Sequence, residues 1–155
     1  MHYNFIFGLS VYINSTVERQ IRDIMLHFDF QRESGGILIG SIEPLRNTIT
    51  ITDITYPQVS DSRLPFSFFR RQKGHQEIMD AIWENSGYEK MYLGEWHTHN
   101  TSSPIPSAKD LHEWKKCANR QQNAPITSFL IVGKMEARLW AIHDKTIHSA
   151  TEVLQ

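Results

Sequence analysis

The sequence predicts a mixed α/β (α+β) domain, a central mixed β-sheet with about three helices packed around it. Three observations carry this expectation. The run NTITITDIT, residues 47 to 55, alternates polar and apolar residues with the period of two that a half-exposed strand requires. The segments behind Ser15 and behind Lys73 place apolar residues at intervals of three and four, the period of a helix that buries one face. Strand-like and helix-like segments are interspersed along the chain, which points to one layered domain covering residues 1–155.

Taken in order, NFIFGLSVYI reads as one strand or two. Ser15-Thr16-Val17-Glu18 has the spacing of a capping box, and Val17, Ile21, Ile24, Met25 and Phe28 continue it as a first helix. Glu33 precedes Ser34-Gly35-Gly36 and the apolar run ILIG, a buried strand. Residues 57 to 65 read as a loop and FSFF as a short strand. Ile78, Met79, Ile82 and Trp83 support a second helix between Lys73 and Asn85, with Gly87 at its exit. KMYLGEWHTH, residues 90 to 99, is a strand. Pro104 and Pro106 close the loop after it. Ser107 opens a third helix with Leu111, Trp114 and Ala118 on one face. ITSFLIVG and ARLWAIH, joined by Lys134-Met135-Glu136, form a hairpin, and the tail after Asp144 carries no pattern.

A chain of 155 residues buries a core without disulfides. Its 40% hydrophobic and 21% charged content are those of a soluble globular protein, and a net charge of −1 exerts no general pull toward nucleic acid or membrane. Cys117 is the only cysteine, which excludes an internal disulfide framework and a multi-cysteine zinc ribbon and suits a reducing cytoplasm. The first residues lack the basic start and cleavage site of a signal peptide, and no apolar run reaches the ~18 residues that span a bilayer. The expectation is a cytoplasmic protein that binds neither membrane nor nucleic acid.

Residues 92 to 111, YLGEWHTHNTSSPIPSAKDL, hold the chemistry. Alternate side chains of a strand share a face, so Glu95, His97 and His99 project together, away from Trp96 and Thr98. Two imidazoles so placed can converge on one metal ion, and Asp110, in the first turn of the helix that Ser107 opens, is the natural third ligand. Two histidines and one carboxylate leave a fourth position for water, the pattern of a hydrolytic zinc centre. Each part has a plain alternative. His-x-His on a strand is usually a pair of surface residues, and Ser107-x-x-Asp110 is a capping box that needs no chemistry. The joint pattern His-x-His-x7-Ser-x2-Asp is another matter: from this composition it arises by chance on the order of once in a thousand such sequences.

His97-Thr98-His99, seven residues, Ser107, two residues and Asp110 resemble the signature of the JAMM (MPN-plus, Prok-JAB) metalloproteases, and Glu33-Ser34-Gly35-Gly36-Ile37-Leu38-Ile39-Gly40 is similar to the glutamate and Gly-rich strand that precede it there. The resemblance runs from Glu33 to the terminal hairpin. It implies a single MPN/JAB-type domain with deaminase-like layering, and one Zn²⁺ ion with a bound water held by His97, His99 and Asp110. Glu33 becomes the acid/base that takes a proton from water and returns it to the leaving amine; Ser107 becomes a hydrogen-bond donor to the oxyanion. Gly35 and Gly36 would leave room for a substrate backbone. Within the family, LGEWHTH, SAKDLHEW and FSFFRRQKGHQ look most like the small bacterial deconjugating peptidase of CBASS antiphage operons, which accompanies a cyclase and an E1/E2-like protein. The implied activity is hydrolysis after the C-terminus of a ubiquitin-like modifier or E2-conjugated protein, with an extended C-terminal tail as the part recognised and a conjugated cyclase as the expected substrate.

Glu95 rivals Glu33 as acid/base, although a hydrogen bond to a ligand histidine explains it more simply; eukaryotic relatives carry an aromatic there. Asn100 stands where many relatives have proline. Arg63, Arg70, Arg71, Lys73 and His75 surround Phe66, Phe68 and Phe69, and read better as a wall of the substrate groove or as solvated charges on a core-facing strand end than as a single-strand nucleic-acid site. Trp114, Trp140 and Cys117 read as core. A zinc deaminase is excluded because one cysteine cannot supply Pro-Cys-x-x-Cys, and a gluzincin because His-Glu-x-x-His is missing. The alternatives are a catalytically silent MPN-type binding scaffold and a RadC-like DNA-associated protein.

Overall fold

The computed structural model describes residues 1–121 and 126–153. Two short strands open it, β1 (His2–Asn4) and β2 (Ser10–Ile13), paired antiparallel. Helix α1 (Ser15–His27) follows. Its cap is Asn14 and not the Ser15 box expected from the sequence: the Asn14 side chain accepts from the Val17 amide at 2.8 Å, while Glu18 pairs with Arg22 one turn on. An Asn side chain reaches N3 from one residue further back and serves the same unpaired donor. Strands β3 (Gly35–Glu43) and β4 (Thr48–Ile54) come next, joined by a 3-10 turn at Pro44–Arg46.

The segment read as a loop at 57–65 is partly a strand. Ser62–Leu64 (β5) pairs antiparallel with Ser67–Phe69 (β6), forming a separate two-stranded hairpin with Phe66 exposed at its turn. Ser-Arg-Leu is too short to show alternation, so its pairing was invisible in the sequence. Helix α2 (His75–Asn85), strand β7 (Met91–Thr98), helix α3 (Ala108–Arg120) and strands β8 (Thr127–Val132) and β9 (Ala137–His143) match the expected elements. The tail is not featureless: β10 (Thr146–Ser149) pairs with β9, and β11 (Thr151–Glu152) pairs with β1.

Among the described residues the main sheet has nine strands in the order β10-β9-β8-β7-β3-β4-β2-β1-β11, with parallel pairings only at β2/β4 and β7/β8. Its two ends, β10 and β11, are separated in sequence by Ala150 alone. A flat sheet of this order would be roughly 38 Å wide at ~4.8 Å per strand, which one residue cannot span. The sheet therefore curls until its ends meet, helped by register irregularities in β3 near Leu38–Gly40. Contacts across the closure agree: the Tyr3 hydroxyl donates to the Ala137 carbonyl at 3.1 Å, and Phe7 stacks on His143 at 4.5 Å.

Curling makes an inside and an outside. Val17, Ile21 and Ile24 of α1 fill the inside against Leu38, Ile51, Leu93, Trp96 and Leu130. On the outside α2 covers Ile37 and Ile39 with Met79, and α3 covers Phe129, Ile131, Trp140 and Ile142 with Trp114. The two outer helices bracket β7, so its outward-facing residues lie at the bottom of a cleft.

Candidate metal centre

The strand alternation holds. Trp96 is buried inside, its indole donating to the Thr55 carbonyl at 2.9 Å, and Thr98 is buried, its hydroxyl accepting from the Ser34 amide at 2.9 Å. His97 faces outward. His99, just past the strand, shares its side, fixed by its amide bond to the Val132 carbonyl at 3.0 Å. The ladder between β3 and β7 pairs Gly35 with His97 and continues through a Thr98 amide to Ser34 carbonyl bond of 2.8 Å, which brings Glu33 opposite His99.

The ring nitrogens converge. His97 Nε2 and His99 Nε2 are 3.0 Å apart, and the Asp110 carboxylate places Oδ1 3.3 Å from the first and Oδ2 3.3 Å from the second. Donor atoms about 2.0–2.1 Å from a shared zinc ion stand about 3.3 Å apart, a separation close to those between the rings and the nearer Asp110 oxygen of each. Glu33 lies further back, its Oε1 3.9 Å from His99 Nε2, and its ligand atom also groups with both rings within 4.8 Å. Of the two carboxylates, Asp110 is nearer to both rings. Two carboxylates and two half-buried imidazoles that face one point supply the oxygen and nitrogen donors that a divalent cation such as zinc takes, so the donor set fits such an ion.

Asp110 is held from its own helix. Ser107 caps α3, its amide and hydroxyl each 2.6 Å from Asp110 Oδ2 and its oxygen accepting from the Asp110 amide at 3.2 Å. The capping box and the cluster are thus the same residues. In this arrangement the Ser107 proton is given to Asp110, so the hydroxyl has to rotate before it donates elsewhere. Burial opposes ionisation of Asp110, but the His97 and His99 hydrogen bonds outweigh it and hold its carboxyl far below the ordinary aspartate range. Glu33 behaves oppositely: burial raises its carboxyl pKa, and the charge attraction of the two rings does not cancel the rise.

Glu33 is pinned by the β5–β6 hairpin. Its amide donates to the Leu64 carbonyl at 2.8 Å and its carbonyl faces Arg63 Nε at 3.4 Å. The glycines beside it do not make room for a substrate, contrary to expectation. A Cβ on Gly35 would stand 2.4 Å from the Trp96 carbonyl and 2.7 Å from the Phe68 ring; one on Gly36 would stand 2.0 Å from the Thr55 carbonyl. The space is taken by the protein's own chain.

A cleft of about 240 Å³ runs from Glu33, His97 and Asp110 along α3 to Cys117, with Phe68, Phe69 and Arg70 as the far wall. Glu95 is hydrogen-bonded to Arg70 and not to His97 or His99. Its Oε1 accepts from Arg70 Nε at 3.0 Å and Nη2 at 2.8 Å, joining the cleft floor to the wall. Lys109, which sequence reasoning passed over, sits 4.2 Å from the Phe69 ring centre across the cleft; its place next to Asp110 was the available signal. His75, read as part of the basic cluster, is fully buried. Cys117 lies 3.1 Å from the Tyr92 hydroxyl with its thiol pushed up to about 11 by burial, an unreactive group as expected. Among the described residues no helix is long and apolar enough to cross a membrane.

Fold and cluster together define a class. Residues 16–143 match the model of the prokaryotic homologs of the JAB domain, and the chain belongs to that family. Within it, the chain is similar to proteins named CD-NTase/cGAS isopeptidase. It is 36% identical to the one from Vibrio cholerae over 83% of this chain and 78% of that protein. Against the one from Pseudomonas aeruginosa it is 35% identical over 68% of this chain, and the aligned part spans 66% of that relative's length. A solution structure of a protein from Desulfitobacterium hafniense superposes with a TM-score of 0.57 at 19% identity, covering 90% of this chain and 88% of that one, a likeness of fold.

Proposed function

We propose that this protein is a zinc-dependent isopeptidase that releases a conjugated CD-NTase-type cyclase. The convergence of His97, His99 and Asp110 at 3.0–3.3 Å, with the separate carboxylate of Glu33 behind them, carries the reading. The names of the relatives supply the substrate class. An E1/E2-like protein that makes the conjugate is the partner this activity requires.

His97, His99 and Asp110 would hold the ion. A zinc ion there supplies Lewis acidity toward a carbonyl oxygen and lowers the pKa of water toward ~7. Glu33 takes the proton of the attacking water and passes it to the leaving amine; a carboxyl raised by burial is well matched to both halves of that transfer. Ser107 keeps Asp110 oriented and, once its hydroxyl is rotated, donates to the oxyanion. The cleft wall of Phe68, Phe69 and Arg70 lies along the path of an extended C-terminal tail.

The test uses the purified full chain and an isopeptide-linked cyclase conjugate. Wild type is expected to contain one zinc per chain and to cleave. Glu33→Ala is expected to keep its zinc and to lose cleavage by about 10²–10⁴-fold, the usual contribution of a general acid/base. Undiminished turnover in that variant overturns the assignment, and a well-folded wild type that takes up no zinc overturns the enzyme reading.

A further inference from the structure

Behind the cleft lies a second polar group that the proposed chemistry does not use. Thr55 at the end of β4, His75 at the start of α2, and Asp61 just before β5 form a chain closed to solvent: Thr55 is 2% exposed, His75 0%, and the Asp61 side chain 0%. His75 Nδ1 is 2.6 Å from Thr55 Oγ1, and Nε2 is 2.9 Å from Asp61 Oδ2. Thr55 Oγ1 also accepts from the Ile37 amide at 2.9 Å. Asp61 accepts two backbone amides, Gln58 on Oδ2 and Arg71 on Oδ1, both at 2.7 Å.

These partners fix every proton. A carboxylate has no proton to give, so Nε2 carries the hydrogen that faces Asp61. Among the described residues the buried Thr55 hydroxyl has no acceptor for its proton except Nδ1, so Nδ1 carries none, and Thr55 Oγ1 receives Ile37. The order is Ile37 amide, Thr55 hydroxyl, His75, Asp61, with every polar side-chain atom along it partnered and Asp61 Oδ2 shared between His75 and the Gln58 amide. Burial works against ionisation of Asp61, but the Gln58 and Arg71 amides and His75 prevail and lower its carboxyl pKa. The Thr55 hydroxyl is no nucleophile, since it is sealed from solvent and engaged on both sides.

The chain ends where the cleft wall begins. Gln58 and Asp61 lie before the β5–β6 hairpin and Arg71 lies after it, so one carboxylate ties both stems together. A hairpin of three-residue strands has little stability of its own. At its other end it holds the Glu33 amide through Leu64, and through Arg70 it grips Glu95 on the cleft floor. Thr55 meanwhile lies against Gly36 and carries the Trp96 indole on its carbonyl.

We propose that Asp61, His75 and Thr55 act as positioning residues: a head-to-tail hydrogen-bond chain, set by the Nε2-protonated form of His75, that fixes the β5–β6 hairpin and through it Glu33. The catalytic part rests on Glu33 as acid/base; the structural part does not. Asp61→Asn is the sharpest probe. Its amide must turn a donor toward either the Gln58 or the Arg71 amide, so at least one stem bond breaks with almost no change of shape.

The experiment compares wild type, Asp61→Asn, Thr55→Val and Thr55→Ser as zinc-loaded full chains. Nitrogen NMR of labelled histidine is expected to show wild-type His75 protonated on Nε2 alone. Amide exchange of residues 62–69 is expected to accelerate at least tenfold in Asp61→Asn and Thr55→Val and to return toward wild type in Thr55→Ser. Zinc content should stay at the wild-type level, with kcat/KM on the conjugate down roughly 10–100-fold in the first two variants. Should Asp61→Asn fail to fold, the threonine pair carries the same comparison. A proton on Nδ1, or unchanged hairpin exchange in the folded variants, overturns the chain. Faster exchange with unchanged kcat/KM overturns its link to Glu33. A wild type without peptidase activity removes the Glu33 assignment while the proton and exchange results still judge the chain.

Discussion

The protein builds two clusters from the same ingredients, histidine, aspartate and a hydroxyl, and they differ in how their bonds are directed. At the cleft, His97, His99 and Asp110 aim their polar atoms at a common point, with Glu33 adding a second carboxylate. Behind it, Asp61, His75 and Thr55 are strung in a line in which every polar atom is partnered within the protein. Convergence offers several donor atoms to one ion at once. The linear chain spends its donors and acceptors on the protein itself. The same residue types thus spell binding in one place and architecture in the other, and direction tells them apart.

Breaking each cluster should give opposite outcomes. The largest effect belongs to the convergent one: His97→Ala is expected to lose zinc retention and conjugate cleavage below detection, while the chain still folds. Added zinc should raise the melting temperature of wild type, as any ligand of the folded state does, and leave that of His97→Ala unmoved. A His97→Ala protein that keeps one tightly held zinc breaks the comparison.

Next in size is the linear chain. Thr55→Val strips partners from the Ile37 amide and His75 Nδ1 inside the protein, which should cost about 1–3 kcal/mol in denaturant unfolding. Glu33→Gln, measured on metal-free protein at pH 7, should cost nothing or stabilise, because it removes a carboxylate that burial disfavours. Equal losses from the two substitutions break the distinction.

The smallest effect is a difference of sign in acid. The Asp61 carboxyl is lowered in the folded protein, so its contribution is complete above the unfolded value of about 3.9 and is lost as pH falls through the folded value. The Glu33 carboxyl is raised, so its contribution is complete below the unfolded value of about 4.3 and is lost as pH rises through the folded value. Unfolding of the metal-free chain across this range should therefore show Asp61→Asn flattening the loss of stability in acid, and Glu33→Gln removing a loss that sets in as pH rises toward neutrality.

The convergent cluster was legible in the sequence because its residues lie at short spacings on regular elements: strand alternation orients His97 and His99, and a capping box places Asp110 in the first turn of α3. Glu33 is remote in sequence and was legible only through family likeness, since its position depends on the ladder between β3 and β7. The linear cluster was not legible. Thr55, Asp61 and His75 belong to three different segments, and nothing in the order RRQKGHQ distinguishes a buried histidine from a solvated one. The use of the paired glycines was misread for a related reason: a glycine signals close approach but not of what. The tail strands β10 and β11 escaped because their pairing is decided by the closure of the sheet, not by their own four and two residues.

That closure governs how the molecule assembles. Tyr3 pairs with Glu152, almost the full length of the chain apart, so the seam is among the costliest contacts to form and is expected to form late. Until then the half-formed barrel carries two raw strand margins able to recruit a neighbour. Crowded refolding should on this account lose material to aggregates, and dilution should recover it.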